Sequence, residues 1–326
     1  MRAFRRSAIP TTKSPSTTTV AGRPGKSAAR RTTAATGGGR SRWRSYIWVL
    51  PAFVFYITFV VFPALHTFWF SLFDWNGVSR ATWVGLSNYA QILTDAELRG
   101  AIWHALILVV FFSWLPILVG LVMVGLLSRH QRRGMTFYRT LYFLPQVLPM
   151  VAVGITWRWM YGERGTFNQV LGWLGLDSIT RAWLGDFDLA LFAVGLIGSW
   201  ALTGLCMMLF LTGVQKVDTN LYEAARLDGA GPIREFLSIT LPELRGEIVV
   251  AMTVTTVAAL ASFDIVFVTT NGGPGGQTTV PGLLLYRLAF SDRRVGLAAA
   301  MGVTLAILIL AAVYLIRRLV GDVDEQ

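Results

Sequence analysis

LALFAVGLIGSWALTGLCMMLFLTGVQ, residues 189–215, carries no charged side chain, and this stretch decides the class of fold. A helix needs roughly 17–20 apolar residues to cross about 30 Å of hydrocarbon, and this stretch exceeds that length. Backbone amides in lipid must be hydrogen-bonded within their own segment. The stretch therefore predicts a transmembrane helix.

The rest of the chain repeats this pattern, and its composition agrees: 54% of the residues are hydrophobic and 14% are charged. A soluble domain would be nearer a quarter charged. Five further charge-free runs lie between Arg44 and Asp74, Arg99 and Arg129, Arg139 and Arg158, Glu247 and Asp264, and Arg294 and Arg317. We expect an all-α membrane protein with six transmembrane helices in residues 46–317. The third, residues 141–161, should be kinked by Pro145 and Pro149, and the fifth should cover residues 248–270.

The amino-terminal segment, residues 1–45, holds eleven Arg or Lys residues and no acid, so it supplies the whole net charge of +11. It is rich in Ser, Thr and Gly and has no apolar block, which predicts a disordered tail. Nucleic-acid binding is one interpretation of such a tail. A cytoplasmic topology signal is favoured, and we expect no nucleic-acid partner.

The distribution of basic residues predicts the orientation of the chain in its membrane. With the amino terminus inside, the inner segments hold twenty-one of the 29 basic residues and the outer segments hold eight. Without the tail the ratio is only ten to eight, so the tail carries most of this inference. Six spans then place both termini in the cytoplasm, including the short carboxy-terminal segment 318–326.

The longest polar segment on the predicted inner side reads VDTNLYEAARLDGAGPIREFLSITLPELRGE, residues 217–247. Asn220 can cap a short helix, with Glu223 reaching back to the cap. Gly229 tolerates the left-handed stop of that helix, and Pro232 suits the first turn of a second one. An ordinary interfacial linker and a rigid element that another protein grips are equally compatible with this pattern.

The spacing within this segment resembles a known motif. Glu223-Ala224-Ala225, then Gly229, then Ile239 and Leu241-Pro242 resemble the EAA loop of permease subunits in bacterial binding-protein-dependent ABC importers. The resemblance implies that residues 218–242 form a coupling loop that docks on an ATPase subunit, with Glu223 pairing with a basic residue there. The implied docking residues are Glu223, Ala224, Ala225, Asp228, Gly229, Ala230, Ile239, Leu241 and Pro242.

A second motif narrows the resemblance. Ser262-Phe263-Asp264, followed by TNGGPGGQT at residues 270–278, is similar to carbohydrate permeases of the maltose and glycerol-phosphate type. The implied partners are a second permease subunit, two ATPase subunits and an extracytoplasmic solute-binding protein. ATP and Mg²⁺ would then bind to the ATPases, and we expect no cofactor on this chain. The sequence GRPGKS at residues 22–27 imitates a phosphate-binding loop but has Val20 where the first glycine is required.

Asp264 is the one acid well inside an apolar region, so it either lines a solute path or forms a structural pair with Arg158 or a donor in the outer loop. A secondary transporter or channel is the main alternative function, but it would be expected to carry more ionisable groups within its spans. A membrane-embedded enzyme would need clustered catalytic or metal-binding groups, and the sequence predicts none. The solute-path candidates are Trp157, Trp200, Thr203, Thr256, Ser262, Asp264 and Asn271.

Overall fold

The computed structural model describes residues 39–127 and 135–320, and their side chains over residues 48–126 and 137–319. It divides into two units, Met1–Phe55 and Tyr56–Gln326. The first helix begins at Gly39, so residues 39–45 are helical where a disordered tail was expected. The remainder of the tail, the basic segment 128–134 and residues 321–326 lie outside the described part of the chain.

The described residues are almost entirely helical. Two short strands, β1 (Phe73–Asp74) and β2 (Thr82–Trp83), form an antiparallel hairpin in which Phe73 lies opposite Trp83. The helices are α1 (Gly39–Tyr56), α2 (Phe62–Phe70), α3 (Ser87–Thr94), α4 (Ala96–Val109), α5 (Leu115–Leu127), α6 (Met135–Val147), α7 (Met150–Met160), α8 (Thr166–Trp173), α9 (Ala190–Val214), α10 (Thr219–Leu227), α11 (Pro232–Glu235), α12 (Leu241–Glu243), α13 (Arg245–Leu260), α14 (Asp264–Thr269), α15 (Pro281–Tyr286) and α16 (Val295–Val320). Single π-helical turns at Ile57–Val61, Val110–Trp114, Phe236–Thr240 and Arg287–Ser291 and a 3₁₀ turn at Asp177–Ile179 complete the order.

Four helical runs among the described residues are long and apolar enough to cross a membrane. A fifth candidate is the pair α6 and α7, whose axes are bent by 99°. The bend lies at Leu148 and Pro149, which confirms the kink predicted from the prolines. The four runs are Trp48–Phe70, Ala96–Leu126, Ala190–Val214 and Val295–Leu319. The described helices thus provide four or five candidate spans, where six were predicted.

The predicted fifth span, residues 248–270, is not one continuous helix. α13 ends at Leu260, residues 261–263 leave the helical path, and α14 restarts at Asp264. Phe263 has φ −138° and ψ −58°, outside the helical region. Ser and Asp compete with the helix for backbone hydrogen bonds, and Asp is favourable in a first turn, so the sequence around Ser262 and Asp264 favours a restart there.

α9 is the most buried of the four continuous candidate spans, since 67% of its most apolar stretch is buried. Its small residues permit close helix packing, the usual basis of helix association in membranes. A side chain at Gly204 would collide with the backbone of α6 at Tyr142. Ser199 Oγ donates a hydrogen bond to the Phe111 carbonyl oxygen at 2.5 Å. The lone cysteine, Cys206, is buried here among apolar neighbours.

Candidate functional site

The loop between α9 and α13, residues 215–244, is called the α9–α13 loop below. Its first helix, α10, is capped by Asp218, whose carboxylate accepts a hydrogen bond from the Asn220 amide at 2.9 Å. Asn220 was the predicted cap, and that prediction is wrong because the helix already begins at Thr219. Asp218 has the extended backbone that a cap requires, with φ −63° and ψ 125°.

The turn between α10 and α11 follows the sequence-based expectation. Asp228 ends α10, and Gly229 adopts φ +75°, in the left-handed region. Pro232 occupies the first position of α11, where its missing amide proton costs no helical hydrogen bond. The helical path then continues through the π-helical turn into α12.

Three side-chain contacts hold the α9–α13 loop together. Arg226 Nε donates to Glu235 Oε1 at 3.0 Å, and Tyr222 Oη lies 2.9 Å from Thr240 Oγ1. Hydrogen bonding to Glu235 raises the pKa of the Arg226 guanidinium above its ordinary value. Lys216 Nζ contacts Glu247 Oε1 at 2.8 Å and joins the end of α9 to the start of α13. The sequence reading did not identify these pairs, although opposite charges on both sides of the Gly229 turn were a usable signal.

The predicted docking residues lie mostly on the outside of this loop. Glu223, Ala224, Asp228, Gly229 and Pro242 are exposed. The half-buried members are Ala225, Ala230, Ile239 and Leu241.

The α9–α13 loop also exposes three large apolar side chains, Leu227, Ile233 and Leu237, which together we call the apolar loop patch. Leu227 is 89% exposed, Ile233 is 76% exposed and Leu237 is 54% exposed. A groove of about 470 Å³ lies against the patch, lined by Gly231, Pro232, Ile233, Arg234, Leu237 and Ser238. Apolar side chains grouped on a polar loop are typical of a protein or membrane contact.

Some solute-path candidates lie together. The rings of Trp157 and Trp200 meet edge to face with centroids 5.5 Å apart, and Trp200 is 43% exposed. Thr203 follows Trp200 by almost one turn of α9, but its Oγ1 donates to the Ser199 carbonyl oxygen at 2.7 Å. The two tryptophans therefore form an accessible aromatic pair, whereas the Thr203 hydroxyl is occupied by its own helix.

The break between α13 and α14 holds two more candidates. Ser262 is buried, and its Oγ finds no hydrogen-bond partner among the described residues. Asp264 is exposed and forms none of the ion pairs found in the described chain. Arg158 instead contacts α14, where its Nη1 lies 3.5 Å from the Val268 carbonyl oxygen. The predicted alternative of an Asp264–Arg158 pair is therefore wrong.

The remaining two candidates are engaged elsewhere. Thr256 is buried, with its Oγ1 3.4 Å from Ser113 Oγ, which places it in the packed interior. Asn271 has φ +48°, and its carbonyl oxygen accepts a hydrogen bond from Arg287. The Thr256 hydroxyl is therefore held within the packed interior, and Asn271 is held through its backbone carbonyl.

Residues 117–324 match the family described as "Binding-protein-dependent transport system inner membrane component". The chain belongs to this family. The resemblance inferred from the EAA-type loop is therefore confirmed, and the chain is a multi-pass transmembrane permease subunit of an ABC importer rather than a catalytic enzyme.

Relatives in other organisms match most of the permease. The probable ABC transporter permease protein YurN of Bacillus subtilis is 35% identical and aligns over 82% of this chain and 92% of its own length. The trehalose/maltose transport system permease protein MalF of Thermococcus litoralis is 33% identical and aligns over 82% of this chain and 90% of its own length. The diacetylchitobiose uptake system permease protein NgcF of Streptomyces coelicolor is 34% identical, over 92% of each.

A solved structure has the same fold. It is a chain of a bacterial ABC transporter involved in the import of the acidic polysaccharide alginate, with a TM-score of 0.71 at 22% identity. The match covers 87% of the permease and 96% of that chain. A second structure of an alginate transporter, in complex with a pentasaccharide-bound periplasmic protein, matches with a TM-score of 0.72 at 20% identity, over 85% of the permease and 93% of that chain.

Proposed function

We propose that this permease subunit imports an oligosaccharide or a related small solute, driven by ATPase subunits that dock on the α9–α13 loop. The observation that carries the docking proposal is the apolar loop patch beside the exposed Glu223. In the assembly we propose, a second permease completes the path, two ATPases bind ATP and Mg²⁺, and an extracytoplasmic protein delivers the solute.

The chemistry of the α9–α13 loop supports docking. Apolar anchors surrounded by polar groups are the usual centre of a protein interface, because burying them supplies most of the binding energy. Leu227 and Ile233 have this character, and Glu223 offers a negative charge that a basic residue of the ATPase can meet at the rim. The predicted docking residues that are small, Ala224 and Gly229, allow the partner to approach the backbone closely.

This arrangement requires the α9–α13 loop to face the cytoplasm. The basic-residue count supports that orientation, with both termini on the same side. The proposed fifth span consists of α13 followed by α14, with the break at residues 261–263 lying inside the assembled transporter. Irregular backbone at membrane depth is tolerated where protein or a water-filled cavity surrounds it, and a translocation path provides such surroundings.

The solute class is supported by the relatives and by two features of the path. Two relatives are named for trehalose/maltose and diacetylchitobiose. The partly exposed Trp200 ring, packed edge to face against Trp157, offers an apolar surface for a sugar, and the unpaired Ser262 hydroxyl offers a hydrogen bond. A relative from Synechocystis is named for osmoprotective compounds, so a compatible solute is the second candidate.

The docking proposal is tested by Ile233→Glu and Leu237→Glu in the assembled transporter. Each change puts a charge into a proposed apolar contact, so we expect at least a tenfold loss of ATPase that copurifies with the permease. Leu174→Glu is the matched control, because Leu174 is 68% exposed but lies after α8, away from the α9–α13 loop. Equal ATPase binding in all three variants would rule out the patch as the docking surface.

The solute is tested by uptake into proteoliposomes that contain the cognate binding protein, both permeases and the ATPases. We expect labelled di- and trisaccharides to accumulate only with ATP, and unlabelled sugars to compete. Trp200→Ala should raise the half-saturating sugar concentration about tenfold without changing assembly. Accumulation of glycine betaine but of no sugar would replace the sugar proposal by the osmoprotectant one.

A further inference from the structure

We propose that Arg226 and Glu235 are a positioning pair that makes α10 and α11 move as one body during the transport cycle. This inference rests on the proposed docking of an ATPase on the α9–α13 loop. It assigns to the pair the transfer of motion from the docking surface to the membrane helices.

The geometry of the pair is specific. Arg226 Nε lies 3.0 Å from Glu235 Oε1 and Nη2 lies 3.5 Å from Oε2, so two guanidinium nitrogens face two carboxylate oxygens. The Glu235 side chain is only 10% exposed, whereas that of Arg226 is 61% exposed. A carboxylate held away from water depends strongly on its partner, because an unpaired charge there is poorly solvated. The arginine fork fixes orientation as well as distance.

The pair lies where the backbone alone would bend. α10 and α11 are joined by residues 228–231, which include Gly229 and Gly231. Substituents at either glycine would find open space, so no neighbouring side chain braces the turn there. Arg226 stands on one side of this turn and Glu235 on the other. Their contact closes the turn into a loop with fixed ends.

A continuous set of contacts leads from this closed turn to the membrane helices. Tyr222 of α10 meets Thr240 across the loop, and the Thr240 carbonyl oxygen accepts the Leu244 amide at 3.0 Å. Leu244 is completely buried and belongs to the apolar cluster that contains Met207 and Phe210 of α9. A displacement of the docking surface therefore reaches both α9 and α13, provided that the Arg226–Glu235 contact keeps the two loop helices together.

The test compares Arg226→Gln, Glu235→Gln and the charge-swapped double variant Arg226→Glu with Glu235→Arg in reconstituted transporters. The measured quantity is the number of solute molecules moved per ATP hydrolysed, taken only from complexes that retain their ATPase. We expect each single variant to lower this ratio at least fivefold. The swapped pair should recover at least half of it, because the contact is restored with its charges reversed.

Two further variants separate coupling from folding. The double variant Arg226→Leu with Glu235→Leu leaves no charge unpaired, so it keeps the test available where a single variant does not accumulate. Its ratio should also fall at least fivefold. Arg181→Gln removes an ion pair to Asp186 elsewhere in the chain, 3.3 Å long, and should leave the ratio unchanged.

Either of two results would overturn the proposal. In the first, all the loop variants keep the wild-type ratio and only the amount of complex changes, which is the behaviour of a merely structural pair. In the second, the swapped pair recovers nothing while complexes with bound ATPase still form. Loss of the ATPase in the Ile233→Glu experiment tests docking itself, so failure of docking and failure of the positioning pair are distinguishable.

Discussion

The loop between α7 and α9, residues 161–189, and the α9–α13 loop flank the same buried helix but are stabilised differently. The α7–α9 loop is organised around one buried amide, Asn168. Its Nδ2 lies within 3.2 Å of the carbonyl oxygens of Gly162, Glu163 and Arg181, and its Oδ1 accepts the Trp183 indole proton at 2.8 Å. The α7–α9 loop thus satisfies its central polar groups from within.

The α9–α13 loop is held by ion pairs, one at its ends between Lys216 and Glu247 and one at its centre. Some of its apolar side chains are exposed. Its central contact joins Arg226 to Glu235, and Leu227 beside it is 89% exposed. The α7–α9 loop exposes apolar side chains as well, among them Trp173 at 84% and Leu174 at 68%, so the two loops differ in how their polar groups are paired rather than in apolar exposure. The comparison teaches that the two loops beside α9 are held by different means: the α7–α9 loop by one buried amide that is satisfied within the loop, and the α9–α13 loop by an ion pair across a glycine turn.

The largest expected effect is a loss of stability when the central amide of the α7–α9 loop is removed. Asn168→Ala removes the hydrogen bonds of one buried amide and leaves several carbonyls unpaired, so it should lower the free energy of unfolding by about 2–4 kcal/mol. The melting temperature of the purified transporter measures this loss. The solute moved per ATP should not change in the complexes that remain.

Gln169→Ala is the matched control for that prediction. Gln169 is exposed and its Nε2 donates to the Arg164 carbonyl oxygen at 3.0 Å. Its removal should change the free energy of unfolding by less than about 0.5 kcal/mol, as for an ordinary surface site. Similar melting temperatures for both variants would show that Asn168 does not organise the α7–α9 loop.

Local rules explain which parts of this protein were predictable from sequence. α9 follows from its length and lack of charge, and the turn at Gly229 and Pro232 follows from backbone preferences of those two residues. The family follows from a motif whose members lie within one short segment. Each of these inferences needs only neighbours in the chain.

The features that were missed depend on distant or competing contacts. The polar groups that surround Asn168 come from both ends of a long loop, and no pattern in the sequence marks them. The break before Asp264 was missed because the flanking residues are apolar enough to resemble one span. The opposite charges of Arg226 and Glu235 on both sides of the Gly229 turn were a usable signal, but only the folded turn brings the two side chains together.

Substitution of three glycines by alanine should have a smaller effect on stability, and it compares the two loops. All three glycines have open space around them. Gly229 and Gly175 both have φ +75°, whereas Gly231 has φ −76°. Alanine at either of the first two should cost about 1–2 kcal/mol, because a side chain disfavours the left-handed region. Gly231→Ala should cost much less.

A transport measurement on the variants Gly175→Ala and Gly229→Ala compares the functions of the two loops. Gly175 lies in the α7–α9 loop and Gly229 in the α9–α13 loop, so equal strain is introduced on the two sides of α9. We expect only Gly229→Ala to lower the solute moved per ATP, because only that turn carries the docking surface. An equal fall of the ratio in Gly175→Ala would mean that the two loops do not differ in function.

The smallest expected effect is a pH dependence confined to the α7–α9 loop. Asp186 accepts hydrogen bonds from the amides of Asp188 and Leu189, and these bonds, with Arg181 nearby, hold the pKa of its carboxyl below the ordinary value. A lowered pKa in the folded state means that the carboxylate stabilises the loop fully above the unfolded-state value of about 4. That stabilisation is lost as the pH falls through the lowered value.

Hydrogen exchange of the Asp188 and Leu189 amides, compared with intrinsic rates between about pH 2 and 6, measures this loss locally. Protection should decrease below about pH 4 in the wild type and should be low and independent of pH in Asp186→Asn, which keeps the shape but removes the titrating charge. Amides of α10 report on the other loop in the same experiment. If protection at Asp188 and Leu189 were equally flat in the wild type, the Asp186 carboxylate would not stabilise the start of α9, and Asn168 alone would organise the loop.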